Sequence, residues 1–132
     1  MSVKITVHRG TNQIGGSITE IATEKTHIFI DFGAELSPEK KKSSDDKMVE
    51  MMKEKVKNGS CDAILFTHYH GDHVGLLNRI PEIEGEKEKI RMGIGRTARI
   101  VMRNIHETLR HFTDPNKSSE ENEEQQKMHA AV

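Results

Sequence analysis

The chain has 132 residues, of which 33% are hydrophobic and 31% charged, with a formal net charge of −1 and a mean hydropathy of −0.69. That length holds one small domain with a small core, and the balanced charge excludes a nucleic-acid footprint spread over the whole molecule, leaving only a local one. No stretch is apolar over the length of a bilayer, no signal-peptide pattern opens the chain, and a lone Cys61 excludes an internal disulfide, so a cytoplasmic location is expected.

Val3, Ile5 and Val7 alternate with Lys4, Thr6 and His8, the period of a half-buried strand. Arg9-Gly10-Thr11-Asn12-Gln13-Ile14-Gly15-Gly16 follows. This run fits neither the P-loop nor the GxGxxG spacing, and it reads as a tight turn ahead of a phosphate cradle. Residues 17–23 predict a second strand, Glu24-Lys25 a turn and residues 27–31 a third strand, so that the two strands form a hairpin. Asp31, beside Phe32-Gly33, has two readings. It closes a turn, or it reaches beneath a metal site and holds a histidine ligand in one tautomer.

Both signs of charge are dense between Glu39 and Lys57. Ser44 or Asp45 is suited to cap a helix. Met48, Val49, Met52 and Val56 put apolar side chains on one face, and Asn58-Gly59 suits a left-handed stop. The methionines read as core filler, and Lys40-Lys41-Lys42 as a solvated run ahead of a nucleic-acid contact. Cys61 reads as a small core residue rather than a nucleophile. Asn58-Gly-Ser60 and Asn116-Lys-Ser118 match the glycosylation sequon, which a cytoplasmic chain does not use.

Ala63-Ile64-Leu65-Phe66 is short, apolar and without helical period, a buried strand. Thr67-His68-Tyr69-His70-Gly71-Asp72-His73 follows, and Val74-Gly75-Leu76-Leu77 opens a helix that Pro81 ends. The histidines therefore fall where a strand gives way to a helix, the end of an α/β sheet at which sites are built. In an extended loop His68 and His70 project the same way and offer two imidazoles to a borderline ion such as Zn²⁺. Asp72 and His73 add an oxygen and a nitrogen, turned elsewhere by a bend at Gly71. Ligands this crowded suit two ions better than one tetrahedral ion. A two-metal site activates a bridging water and clamps the attacking and leaving oxygens of a displacement. The alternative, a surface loop with chance histidines, leaves the agreement of strand, ligands, glycine and helix unexplained.

Beyond Pro81, residues 82–89 read as a polar loop and Ile90-Arg91-Met92 as a short strand. Ala98, Val101, Ile105, Leu109 and Phe112 recur at helical spacing. Arg96, Arg99, Arg103 and Arg110 share the remaining surface, read first as solvated and second as a contact for RNA phosphates. His106-Glu107 with His111 is no HExxH site: the histidines are one position too far apart, which turns the second by about 140°. Asp114-Pro115-Asn116 stops the helix and divides a domain over residues 1–113 from a polar, disordered tail over 114–132.

His68-x-His70-x-Asp72-His73 after a buried strand resembles the metal-binding motif of the metallo-β-lactamase fold. The resemblance implies an α/β architecture, an αββα sandwich with a di-metal site at one edge. By it His68 and His70 bind the first metal and Asp72 and His73 the second, with Asp72 also orienting the bridging hydroxide as the catalytic carboxylate. Arg9-Gly-Thr-Asn-Gln-Ile-Gly-Gly-Ser-Ile-Thr-Glu20, then Ile28-Phe-Ile-Asp-Phe-Gly33, resembles the start of ribonuclease J-like proteins. These form the RNA-processing branch of the fold, usually with a β-CASP domain. In that branch the aspartate matching Asp31 supports the metal ligands without binding metal.

The resemblance implies hydrolysis of RNA phosphodiester bonds by a metal-activated hydroxide, two divalent ions (zinc, or manganese), RNA as partner and no membrane. Further ligands lie downstream in the family. His8, His27, His106, His111 and His129 sit in no glycine-flanked loop after a strand, and the β-CASP region has no counterpart. The chain is therefore expected to be the N-terminal half of a metallo-β-lactamase domain. Half a sandwich leaves an apolar sheet face uncovered and prone to self-association. The alternatives are a hydrolase of the same fold acting on a small phosphodiester, thioester or lactam, and an inactive metal-binding fragment.

Overall fold

Short apolar or alternating runs punctuated by glycine build five strands: β1 (Lys4–Arg9), β2 (Ile18–Ala22), β3 (His27–Ile30), β4 (Ala63–Phe66) and β5 (Arg91–Ile94). They form one sheet in that spatial order in the computed structural model, which describes residues 1–85 and 90–101. β1, β2 and β3 pair antiparallel as two hairpins. β3, β4 and β5 pair parallel, and each parallel pair needs a crossover. Helix α1 (Lys41–Lys57) lies in the first crossover. The second holds the short helix α2 (Gly71–Val74), a 3₁₀ turn (Leu77–Arg79) and helix α3 (Glu82–Gly85).

The register sorts the side chains onto two faces. Thr6, Glu20, Phe29 and Ile64 stand in one row. α1 covers this face: its Val49, Met52 and Val56 join Phe29 and Ile64 in a single buried core with Ile18, Phe32, Leu76 and Ile83. Lys55 on α1 reaches Glu20 Oε1 at 2.9 Å. The rows Ile5–Ile21–Ile28–Ala63 and Val7–Thr19–Ile30–Leu65 lie on the opposite face. Among the described residues that face stays open, with Ile5 66%, Val7 46% and Leu65 43% exposed. A mixed α/β sheet with helices against one face agrees with the partial αββα sandwich expected from the sequence.

Several local expectations need correction. The helix expected from Val74 to Pro81 is broken: α2 ends at Val74, and the chain then makes a 3₁₀ turn. Residues 82–85, expected as loop, form α3, because proline is tolerated at a helix start, where its missing N–H costs nothing. Ser44 and Asp45 do not cap α1. They lie inside it, and its N-cap is Lys40 with no side-chain cap bond. Asn58 and Gly59 do end the helix, with Gly59 at φ 69°. Gly71 is not the bend: it is the first residue of α2, and the extended residue before it is His70.

Residues 96–101 are helical. The rest of the Ala98–Phe112 pattern lies outside the described residues, as do Arg103, Arg110, the His106-Glu107/His111 group and the 114–132 tail. Among the described residues no helix is long and apolar enough to cross a membrane. Cys61 is buried, and burial pushes its thiol up to about 12, which removes it from nucleophilic chemistry at neutral pH.

Candidate metal centre

Two strand ends make the site. β3 and β4 run parallel and stop together, and the segments beyond them stay hydrogen-bonded. Asp31 N–H donates to Leu65 O at 2.9 Å, Phe32 N–H to His73 O at 2.8 Å, Ala34 N–H to Gly71 O at 2.9 Å and Leu76 N–H to Phe32 O at 3.1 Å. The histidine loop is thereby laid across residues 31–34. Gly33 lies at the closest approach, where a Cβ would stand 1.7 Å from Asp72 O. Only glycine fits there.

His68, Asp72 and His73 converge, each offering a donor atom within 4.8 Å of the others. The His68 and His73 ring centroids are 3.9 Å apart, and Asp72 Oδ2 lies 3.4 Å from His73 Nε2. His70 caps α2, exposed, with its ring 4.8 Å from that of His68 and 4.9 Å from that of Tyr69. The close trio thus pairs His68 with the Asp72–His73 side, while His70 stands next to it rather than within it.

Asp31 lies underneath, 3% exposed and at φ 60°, a left-handed conformation that a non-glycine residue seldom adopts. Its surroundings hold it there. Thr67 N–H donates to Oδ1 at 2.7 Å, Thr67 Oγ1 to Oδ2 at 2.8 Å, and His73 Nδ1 to Oδ2 at 2.7 Å. With Nδ1–H spent on Asp31, the Nε2 lone pair of His73 faces the cluster. Two imidazoles and a carboxylate, partly exposed and backed by a second carboxylate, fit a divalent transition ion. Ligands of one tetrahedral zinc stand roughly 3.4 Å apart at ~2.1 Å bond lengths. The 3.4 Å between Asp72 Oδ2 and His73 Nε2 matches that spacing.

A second network fixes the wall beside the loop. Arg9 is buried, and its guanidinium donates to Gly16 O at 2.8 Å, Ser44 Oγ at 2.8 Å, Asp45 Oδ1 at 2.9 Å and Gly33 O. Asp45 also accepts Glu35 N–H at 2.9 Å, and Glu35 Oε2 accepts Gln13 Nε2 at 2.9 Å. The Glu35 carboxyl is held below its usual range, first by the Ser37 amide and, against the opposing effect of burial, by Gln13 and Arg9. The glycine-rich loop is a tight turn, with Gly10, Gly15 and Gly16 at positive φ. At Gly15 a Cβ would meet Asp72 Oδ2 at 2.6 Å, so this turn is the wall of the site.

Sequence reasoning passed over Thr67, Gly33 and the Arg9–Asp45 pair. A hydroxyl residue directly before the first histidine was the available signal for Thr67. Nothing local marks Arg9 and Asp45, which are 36 positions apart.

The family model for the metallo-beta-lactamase superfamily matches residues 12–122. Among curated proteins no match is found.

Proposed function

Because the chain belongs to the metallo-β-lactamase superfamily, whose chemistry is metal-dependent hydrolysis, we propose that it is a hydrolase of the ribonuclease J-like, β-CASP branch, cleaving RNA phosphodiester bonds in the cytoplasm. The observation that carries the reading is the convergence of His68, Asp72 and His73 above the buried Asp31. The branch rests on the resemblance from Arg9 to Gly33. Support comes from what those residues do: Arg9 clamps Gly16 and Gly33, and Gly15 lies against Asp72.

His68 and His70 would hold one divalent ion and Asp72 and His73 a second, zinc by the mixed nitrogen and oxygen donors, with manganese next. An ion held by these residues would supply a more acidic water and positive charge for the phosphoryl oxygens. Asp31 keeps the Nδ1–H of His73 and leaves Nε2 as the donor. Asp72 would accept a hydrogen bond from the attacking water and set its direction. The exposed Arg96 and Arg99 supply positive charge for phosphates. The open apolar sheet face is assigned to a second copy of this chain.

The test is hydrolysis by the metal-loaded chain of an end-labelled RNA, beside a chromogenic phosphodiester, a thioester and a lactam. RNA cleavage that Asp72→Ala abolishes supports the reading. Turnover of a small substrate with intact RNA overturns the branch.

A further inference from the structure

We infer that Thr67 is a positioning residue that fixes the tautomer of His68, so that one carboxylate oxygen, Asp31 Oδ2, sets the metal-facing nitrogen of two histidines at once. The inference rests on the reading of His68, Asp72 and His73 as a metal centre.

A carboxylate accepts hydrogen bonds and does not donate them. Asp31 Oδ2 has two close partners, Thr67 Oγ1 at 2.8 Å and His73 Nδ1 at 2.7 Å, so both must donate. A hydroxyl has one proton, and that of Thr67 is spent on Asp31. Thr67 Oγ1 is left with lone pairs, and His68 Nδ1 stands 3.0 Å away. That contact is a hydrogen bond only if His68 carries its proton on Nδ1. His73 Nδ1 is also 3.3 Å from Thr67 Oγ1, but the shorter, charge-assisted bond to Asp31 takes its proton. Both rings thus present an Nε2 lone pair. The relay Asp31–Thr67–His68 does for the first histidine what direct contact does for His73. The Thr67 backbone N–H anchors the residue separately, on Asp31 Oδ1 at 2.7 Å. A side-chain change therefore leaves the loop attached.

The test combines tautomer and metal affinity. Long-range proton–nitrogen NMR on the metal-free, ¹⁵N-histidine-labelled chain, at a pH of about 8 where free imidazole is neutral, reads each tautomer. The wild-type chain shows His68 and His73 protonated on Nδ1. Thr67→Val, which keeps the shape and removes the hydroxyl, leaves His73 unchanged, releases His68 toward the Nε2–H form and weakens zinc binding ~10–100-fold in a chelator competition. Thr67→Ser restores both. A His68 that stays protonated on Nδ1 in Thr67→Val overturns the inference, and so does weakened zinc binding with no change of tautomer. Loss of the Nδ1–H form in Thr67→Ser overturns it as well. A wild-type chain that shows these tautomers but takes up no zinc contradicts the metal-centre reading instead. The two failures are therefore distinct.

Discussion

Asp31 is held at φ 60°, where an L residue gives up roughly 1–2 kcal/mol. What it gains is a buried carboxylate aimed at Thr67 and His73 from below. Asp31→Ala should weaken zinc binding ~10–100-fold, read by chelator competition. An unchanged affinity would mean that His73 is oriented by something else. Gly33 obeys a steric rule. Gly33→Ala drives a methyl into Asp72 O and should cost at least about 3 kcal/mol in urea denaturation. Gly71→Ala, where a Cβ meets nothing, should stay within about 0.5 kcal/mol. Sequence alone offered His68, His70, Asp72 and His73 as candidate donors because they are local. Which of them draw close depends on how residues 31–34 cross beneath the loop, and no local pattern records that crossing.

At the scale of elements, two ionic networks dock α1 onto the sheet. Arg9 and Asp45 are both buried. Removing one partner strands the other, so Arg9→Ala should cost about 3–5 kcal/mol. Asp46→Ala, which removes an exposed pair with Arg79, should cost less than about 1 kcal/mol. Denaturant midpoints that rank these two alike would refute the distinction. Glu20 makes the second network. Burial pushes its carboxyl up, but hydrogen bonds from Lys55, His27 and His8 outweigh this and bring it down to about 2 from 4.5. The folded pKa lies below the unfolded one, so the unfolded chain binds more protons between these values. Stability is full above about pH 4.5 and falls as pH drops towards 2. Glu20→Gln should lower stability at pH 7 and flatten that acid limb, as followed by circular dichroism across pH. A limb of unchanged slope would show that Glu20 does not govern it.

Strand elements were the most legible part of this chain, since alternation and short apolar runs carry their own signal. The helix expected after the histidines was not. Val74-Gly75-Leu76-Leu77 has helical composition, but Leu76 N–H is taken by Phe32 O. That tertiary bond uses the donor a continuing helix would need. Pro81 reads as a stop in the sequence but stands directly before α3. Both misreadings come from tertiary partners or from the double meaning of proline.

At the scale of the molecule, the described residues cover the sheet on one face with α1, while Val3, Ile5, Val7 and Leu65 stand exposed at or beside the other. Among the described residues β1 is an edge strand, whose outward backbone groups add to that apolar surface. Sedimentation velocity should find association that grows with concentration and that Ile5→Glu with Val7→Lys suppresses. A monomer at all concentrations would reject pairing through this face. An uncovered apolar face is what the resemblance to half a sandwich implies. Its outline needed the register, which sets Ile5, Ile21 and Ile28 in one row.

In the proposed function His68, His70, Asp72 and His73, supported by Asp31, hold two divalent ions. The most direct measurement is the metal content of the purified chain by elemental analysis, after dialysis against traces of Zn²⁺ and Mn²⁺, beside a His68→Ala/His70→Ala double variant. About two ions per chain, the number a two-metal site requires, reduced in the variant, is the predicted result. One weakly held ion or none in the wild-type chain would contradict the account.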